Sequence, residues 1–170
     1  MQINVSQLLK EPIGSTRNYE VSGTVDITSN GVGSQVQGEV TLIRTSQGIL
    51  VQGTLQTEVE ITCSRCLSLF SYPLILNIEE EFSPVIDVLT GNPLSLPDEP
   101  GSFTIDEYHI LDLTEAIRQY AVLAIPMKPL CREDCAGLCP ICGQNLNLGD
   151  CGCQPPEADP RWAKLRKLNW

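Results

Sequence analysis

All eight cysteines of this 170-residue chain lie in two short stretches. Two of them form the sequence C-S-R-C, and the other six lie between residues 131 and 153. Thiolates at C-x2-C spacing can bind one tetrahedral zinc ion, and two zinc ions need eight sulfur ligands. The cysteine count therefore predicts a protein with two zinc sites.

The C-P-I-C-G sequence at residues 139–143 is typical of a zinc knuckle, a turn whose backbone N–H groups point at the thiolates. Gly143 is free to take the positive φ that such a turn needs. We predict two four-thiolate sites, namely Cys139, Cys142, Cys151 and Cys153 in one and Cys63, Cys66, Cys131 and Cys135 in the other. The spacing leaves mixed ligand groups open, because a C-x-C pair is strained on one ion. A single zinc site with spare thiols is a further alternative.

The compartment bears on the choice between metal and disulfides. The first twenty residues contain charged side chains and no long apolar run, and the longest apolar run, 121–125, is too short to span a bilayer. We therefore expect a cytoplasmic protein with no membrane association. In a reducing cytoplasm thiolate–metal bonds are favoured over a disulfide framework, which is the alternative.

The first half of the chain alternates apolar and polar residues with a period of two, as half-buried strands do. Four strands are predicted within 19–28, 35–42, 49–61 and 70–82. Asn30-Gly31 and Gln47-Gly48 stand in the connections, as tight hairpins require. We predict a mainly β (α+β) fold, with a curved antiparallel meander or small barrel-like sheet. Cys63 and Cys66 then lie at the tip of the hairpin between the third and fourth strands.

One helix is predicted over 112–125, packed on the sheet by an apolar stripe of Leu113, Ala116, Ile117, Tyr120, Ala121 and Ala124. Asp112 and Glu115 match a capping box, and Pro126 ends the helix. We predict an antiparallel β domain over 1–126 and a cysteine-rich zinc module over 127–170. That module ends in a second, basic helix with Asp159 as its cap.

The formal net charge is −10, and it is unevenly distributed. No Lys or Arg lies between Arg65 and Arg118, whereas that interval holds ten acidic residues, including Glu79, Glu80 and Glu81. The last ten residues carry Arg161, Lys164, Arg166 and Lys167. An acidic body repels phosphate backbones, so basic proteins are the more natural partners. We take these three acids and four bases as candidate partner-binding residues.

The C-S-R-C hairpin is followed by C-x3-C-x-G-L-C-P-x-C-G-x-N-L-N, a C-x-C pair and D-P-R-W-x-x-L. Together these motifs resemble the YceD family, which is linked to accumulation of large-subunit ribosomal RNA in bacteria and plastids. The resemblance implies a cytoplasmic, non-enzymatic factor in large-subunit ribosome biogenesis. It also implies a large-subunit precursor or a basic ribosomal protein as partner, with ribosomal protein L32 as a candidate.

Two other functions remain open at this point. A zinc-ribbon nucleic-acid-binding protein would use the basic tail, and direct contact with ribosomal RNA belongs to that alternative. A thiol-redox protein would use C-x2-C, but such motifs begin a helix in a βαβ unit, whereas Cys63 is predicted between strands. The chain has one histidine and no phosphate-cradling glycine motif, so we predict no enzymatic activity.

Overall fold

The computed structural model describes residues 1–28, 33–94 and 101–154. The chain forms two compact units. Unit 1 consists of Met1–Ile61 with Ser71–Met127, and unit 2 consists of Thr62–Phe70 with Lys128–Trp170. Both predicted cysteine sets lie in unit 2. Among the described residues, no helix has the length and apolar character required to cross a bilayer.

Unit 1 is built on a seven-stranded sheet. Its strands are β1 Gln2–Asn4, β2 Thr16–Val25, β3 Ser34–Arg44, β4 Ile49–Thr62, β5 Leu69–Pro84, β6 Phe103–Ile105 and β7 Ile110–Asp112. Their order in the sheet is β1-β7-β6-β5-β4-β3-β2. A short 3-10 helix covers Leu8–Lys10, and helix α1 covers Thr114–Ala124. The predicted mainly β fold with a curved sheet is confirmed.

The period-two sequence pattern explains the core. Along β2 to β5 the apolar positions are buried and the polar positions between them are exposed. Helix α1 buries Ala116, Ile117 and Ala121 in the same core. Two strands approach closely at glycines, because a Cβ at Gly53 would lie 2.4 Å from the carbonyl oxygen of Glu39. Glycine is thus required where β3 and β4 bend together.

Four details of the prediction are wrong. The sheet is mixed, since β5 and β6 run parallel, and it includes three-residue strands that have too few residues to show a period. The helix begins at Thr114 and not at Asp112, which lies in β7. The capping box does not form: Asp112 accepts the N–H of Thr114, whereas Glu115 binds Arg118 and Gln119. Ala124, at the end of the predicted stripe, is exposed.

The loop at 45–48 joins β3 to β4 as a tight hairpin, with Thr45 N–H donating to Gly48 O over 3.0 Å. The other predicted hairpin turn, Asn30-Gly31, lies outside the described residues. The predicted C-terminal helix and the four basic residues Arg161, Lys164, Arg166 and Lys167 also lie outside them.

Candidate metal centre

The first cysteine pair lies in the turn that joins β4 to β5. Cys63 N–H donates to Ser68 O over 2.9 Å, and Leu67 N–H donates back to Cys63 O over 3.0 Å. Arg65 N–H donates to the Sγ of Cys63 over 3.4 Å. A backbone N–H aimed at sulfur stabilises the thiolate, which is the form that binds metal.

The second C-x2-C sequence forms the same turn. Cys139 N–H donates to Gln144 O over 2.8 Å, and Gly143 N–H donates to Cys139 O over 2.9 Å. Ile141 N–H donates to the Sγ of Cys139 over 3.4 Å. Each bond has its counterpart at the same offset from Cys63, although the two segments, C-S-R-C-L-S and C-P-I-C-G-Q, share only their cysteines. The structure therefore contains two equivalent knuckles.

The residue after the second cysteine of each knuckle has a left-handed backbone. Gly143 has φ 74°, and Leu67, at the same place in the first knuckle, has φ 57°. A left-handed conformation suits glycine and costs about 1–2 kcal/mol for a residue with a Cβ. The first knuckle therefore stores backbone strain that the second avoids.

This difference makes the two knuckles a matched test. Gly143→Ala should weaken the second knuckle by about 1 kcal/mol, because alanine must adopt the left-handed conformation. Leu67→Gly should leave the first knuckle as stable as before or more stable, because the Leu67 side chain is 63% exposed and contributes little burial. Hydrogen exchange of the two amide groups at these positions measures both effects, and about fivefold faster exchange is expected for Gly143→Ala. Equal destabilisation by both substitutions would contradict this account.

The first cluster is completed by a distant segment of unit 2. The Sγ atoms of Cys63 and Cys135 are 3.8 Å apart, and those of Cys66 and Cys131 are 3.7 Å apart. A tetrahedron with metal–sulfur bonds of about 2.3 Å has sulfur–sulfur edges of about 3.8 Å. A disulfide would need about 2.05 Å, and all eight cysteines are free thiols. The distances thus fit one tetrahedral ion and not a covalent bridge.

Polar side chains outside the cysteine set hold this cluster in place. Asn147 donates its side-chain amide to the Sγ of Cys135 over 3.3 Å, and its oxygen accepts the N–H of Ala136. Arg65 donates to the carbonyl oxygen of Cys135 over 3.0 Å and also reaches Glu133 O. Sequence reasoning missed both residues. Asn147 belongs to the quoted N-L-N motif, which was the one available signal.

The second cluster consists of Cys139, Cys142, Cys151 and Cys153. In this cluster, as in the first, the four Sγ atoms lie within 4.8 Å of one another. Gly152 has φ 69°, which lets the C-G-C segment turn both of its thiols to one point. The structure therefore brings together the same two groups of four that the spacing predicts, and each group can hold a metal ion.

The two clusters differ in exposure. Cys63, Cys66 and Cys135 are buried with Phe70 and Leu130 around them, whereas Cys142 is exposed and Cys151 and Cys153 are half-buried. A surface cleft bordered by Pro140, Leu146 and Asp150 opens onto the second cluster. Solvent thus reaches the second cluster more easily than the first.

Each cluster pairs one acidic thiol with one very weak acid. Backbone N–H groups, chiefly that of Cys66 in one knuckle and that of Cys142 in the other, lower the pKa of Cys63 and of Cys139 to about 6. Burial, followed by hydrogen bonding to the Cys66 thiol, raises the pKa of Cys131 to about 12. Hydrogen bonding to the thiols of Cys142 and Cys151 raises the pKa of Cys153 to about 12. At neutral pH each cluster therefore offers a ready thiolate, and a bound cation would displace protons from the remaining thiols.

Comparison with known families shows which family this chain belongs to. A family model described as "Large ribosomal RNA subunit accumulation protein YceD" matches residues 51–169, a range that includes every cysteine. The chain belongs to the YceD family. No solved structure matches it.

The relatives of this YceD-family chain come from bacteria and plants. It is 37% identical over 123 residues to an uncharacterized protein of Mycobacterium tuberculosis, a match that covers 72% of this chain and 56% of the relative. It is 30% identical over 168 residues to "Large ribosomal RNA subunit accumulation protein YCED homolog 1, chloroplastic" of Arabidopsis thaliana, with coverage of 85% and 52%. The maize protein of the same name is 25% identical over 158 residues, with coverage of 78% and 53%. The YceD-family chain thus spans about half the length of the curated relatives it matches.

The predicted acidic residues of the YceD-family chain do not share one surface. Glu79 and Glu81 are exposed on one face of β5, and Glu80 lies on the opposite, core-side face. The Glu80 carboxylate is half-buried and accepts the hydroxyl of Tyr120 over 3.2 Å. A partner that contacts this face of β5 can therefore meet Glu79 and Glu81, whereas Glu80 binds the helix.

Proposed function

We propose that this chain is a non-enzymatic factor for accumulation of large-subunit ribosomal RNA, that it acts by binding, and that it carries two structural zinc ions. The observation that carries the proposal is the family match over 51–169, which includes all eight thiols of the two clusters. The name of the Arabidopsis relative, a large ribosomal RNA subunit accumulation protein, supports the same role.

The donor sets support zinc in a structural role. Four thiolates with edges near 3.8 Å suit a tetrahedral zinc ion, and the protein itself supplies all four ligands. Catalytic zinc sites keep a position open for water or substrate and commonly use histidine or carboxylate ligands. A zinc ion with four cysteines has no such position. The metal would therefore order unit 2 and take no part in a reaction.

The charge supports a basic partner. With a formal net charge of −10, the chain repels nucleic-acid phosphates and attracts Lys- and Arg-rich surfaces. Proteins that bind ribosomal RNA carry such surfaces. The partner is thus a basic ribosomal protein, for which L32 remains a candidate, or a large-subunit precursor particle that contains one. The cytoplasm is where such a partner would be met.

Measurements on a deletion strain, on a strain that expresses a tagged chain and on the purified chain test this function. Deleting the gene should lower the ratio of large-subunit to small-subunit ribosomal RNA, and a tagged chain should co-sediment with large-subunit precursors. The purified chain should hold two zinc ions and show no thiol that reacts with a thiol reagent under native conditions. An unchanged RNA ratio with a chain that sediments alone would refute the ribosomal role. A zinc-free chain with reactive thiols would favour the thiol-redox alternative.

A further inference from the structure

On the four long strands of unit 1, the charged residues at the outward-facing positions are all acidic. Six exposed glutamates lie on the solvent side of the four long strands, namely Glu20, Glu39, Glu58, Glu60, Glu79 and Glu81. The same strands contain two basic residues, Arg17 and Arg44, and both occupy alternate positions on the core side. We call these outward positions of β2 to β5 the acidic face.

Two of these carboxylates lie directly opposite each other. Glu20 of β2 pairs with Glu39 of β3 in the antiparallel register. Like charges at directly opposite positions destabilise a sheet. In the described structure neither carboxylate has a basic partner, since the ion pairs there involve other acids. A cation placed beside this pair would relieve the repulsion.

The strand that carries Glu20 is also the edge of the sheet. β2 is the last strand in the order, and it pairs with β3 over all ten of its residues. An antiparallel ladder uses the N–H and C=O of every second residue, so the others point away from β3. Within the described ranges, no backbone hydrogen bond joins β2 to a residue outside β3. The outward N–H and C=O groups of β2 therefore have no strand partner among the described residues, and α1 is the helix that contacts β2.

The edge lacks three of the usual protections against pairing, namely short length, proline and lysine, and keeps one, the inward-pointing charge of Arg17. Natural edge strands are kept short or are protected by proline or lysine, as β1 at the other edge is by its three-residue length. β2 has ten residues and contains neither proline nor lysine. Its alternate side chains, from Thr16 to Thr24, are all exposed. An added strand would lie about 4.8 Å from β2.

We infer that the free edge of β2 binds an extended Lys- or Arg-bearing segment of a partner protein as an added strand. The basic side chains of that segment would alternate onto the acidic face beside Glu20, with Glu39 one strand further in. A second copy of this chain fits poorly, because pairing of two β2 strands would bring the same carboxylates together. This inference rests on the proposed function, since it names the surface that would hold the basic ribosomal partner.

A defined peptide tests the surface without knowledge of the partner. The probe is a fluorescent ten-residue peptide of alternating lysine and threonine, and its binding to the full chain is measured by anisotropy. The double variant Glu20→Gln with Glu39→Gln should bind it about tenfold more weakly than the parent. The control, Glu107→Gln with Glu133→Gln, changes the net charge equally at exposed positions off the sheet and should change affinity less than twofold. If both variants lose the same amount of peptide affinity, the loss is due to net charge alone, and the inference is overturned.

Backbone pairing needs its own control. The same peptide with every backbone N–H methylated keeps its charges but cannot form a ladder, so it should not bind. The parent peptide should slow hydrogen exchange at β2 amides. Binding of the methylated peptide as tightly as the parent would overturn strand addition. Association of two protein copies through β2, seen by sedimentation, would also overturn it.

The inference and the proposed function can fail separately. If the parent chain does not co-sediment with large-subunit precursors, the proposed function fails. The peptide experiment still shows whether the edge of β2 binds a basic strand. If the parent co-sediments and the Glu20→Gln with Glu39→Gln variant co-sediments equally well, the inference alone fails. If the Glu20→Gln with Glu39→Gln variant no longer co-sediments and the control variant still does, the inference and the proposed function are both supported.

Discussion

Cys135→Ser is expected to reduce the zinc content of the purified chain from two ions to one. Structural zinc sites gain about 10–16 kcal/mol from four ligands, so one lost thiolate removes about 3 kcal/mol, more than a hundredfold in affinity. Cys135 is 3% exposed and lies 3.8 Å from Cys63, and every other cysteine already belongs to one of the two clusters. The surrounding contacts, including the bonds from Arg65 and Asn147, should lose their order with the metal.

Metal analysis after gel filtration and the amide spectrum of unit 2 measure this result. Ser64→Ala is the matched control, because Ser64 lies in the same knuckle and binds Pro129 O but donates no ligand. The core of unit 1 contains none of the cysteines, so its amides should remain protected in both variants. Two retained ions in Cys135→Ser, with an unchanged spectrum, would show that Cys135 is not a ligand.

The zinc affinity of both clusters is expected to fall steeply on acidification. In the metal-free chain Cys131, whose pKa is about 12, keeps its proton at neutral pH, whereas the bound form needs a thiolate. Binding therefore releases at least one proton per site, and the affinity falls at least tenfold for each pH unit lowered from 8 to 6. Below about pH 6 Cys63 also becomes protonated, and the fall becomes at least a hundredfold per unit. In the second cluster Cys153 has the role of Cys131 and Cys139 has the role of Cys63, so its affinity should show the same two slopes against pH.

Competition with a chromophoric chelator of known proton affinity, between pH 5 and 8, measures both slopes. In an Arg65→Pro variant, which removes one N–H donor to Cys63 and so raises its pKa, the steepening of the first cluster should move to higher pH. An affinity that does not change with pH would mean that the ligands are not thiols.

The cysteine groups could be predicted because their chemistry is local in the sequence. A C-x2-C turn needs only its own backbone, and the same bonds form around Cys63 and Cys139 whatever the intervening residues are. The four long strands could be predicted for a similar reason, since each is long enough to show its period. Local signals were sufficient for these features.

The features that could not be predicted depend on contacts between residues far apart in the sequence. The three-residue strands β1, β6 and β7 form because they pair with neighbouring strands of the sheet. Their own residues are too few to show a period-two pattern. The support that Asn147 gives Cys135 appears only when the chain has folded. The pairing of Glu20 with Glu39 depends on the register of β2 and β3, which a one-residue shift would change completely. For that reason the sequence indicated only Glu79 to Glu81 as acidic partner-binding residues and did not reveal the acidic face of β2 to β5.

The spacing of the ligand pairs has a consequence for refolding. Cys66 and Cys131 are 65 residues apart, whereas Cys142 and Cys151 are nine apart. Closing the longer loop costs about 2 kcal/mol more chain entropy, so in a complete chain that refolds from the unfolded state the nine-residue loop would capture an ion first. The wide loop encloses β5 to α1, and its ion is captured cheaply only after that segment has become compact. On refolding, the buried cluster would therefore be filled last, and its occupancy would report that β5 to α1 have folded.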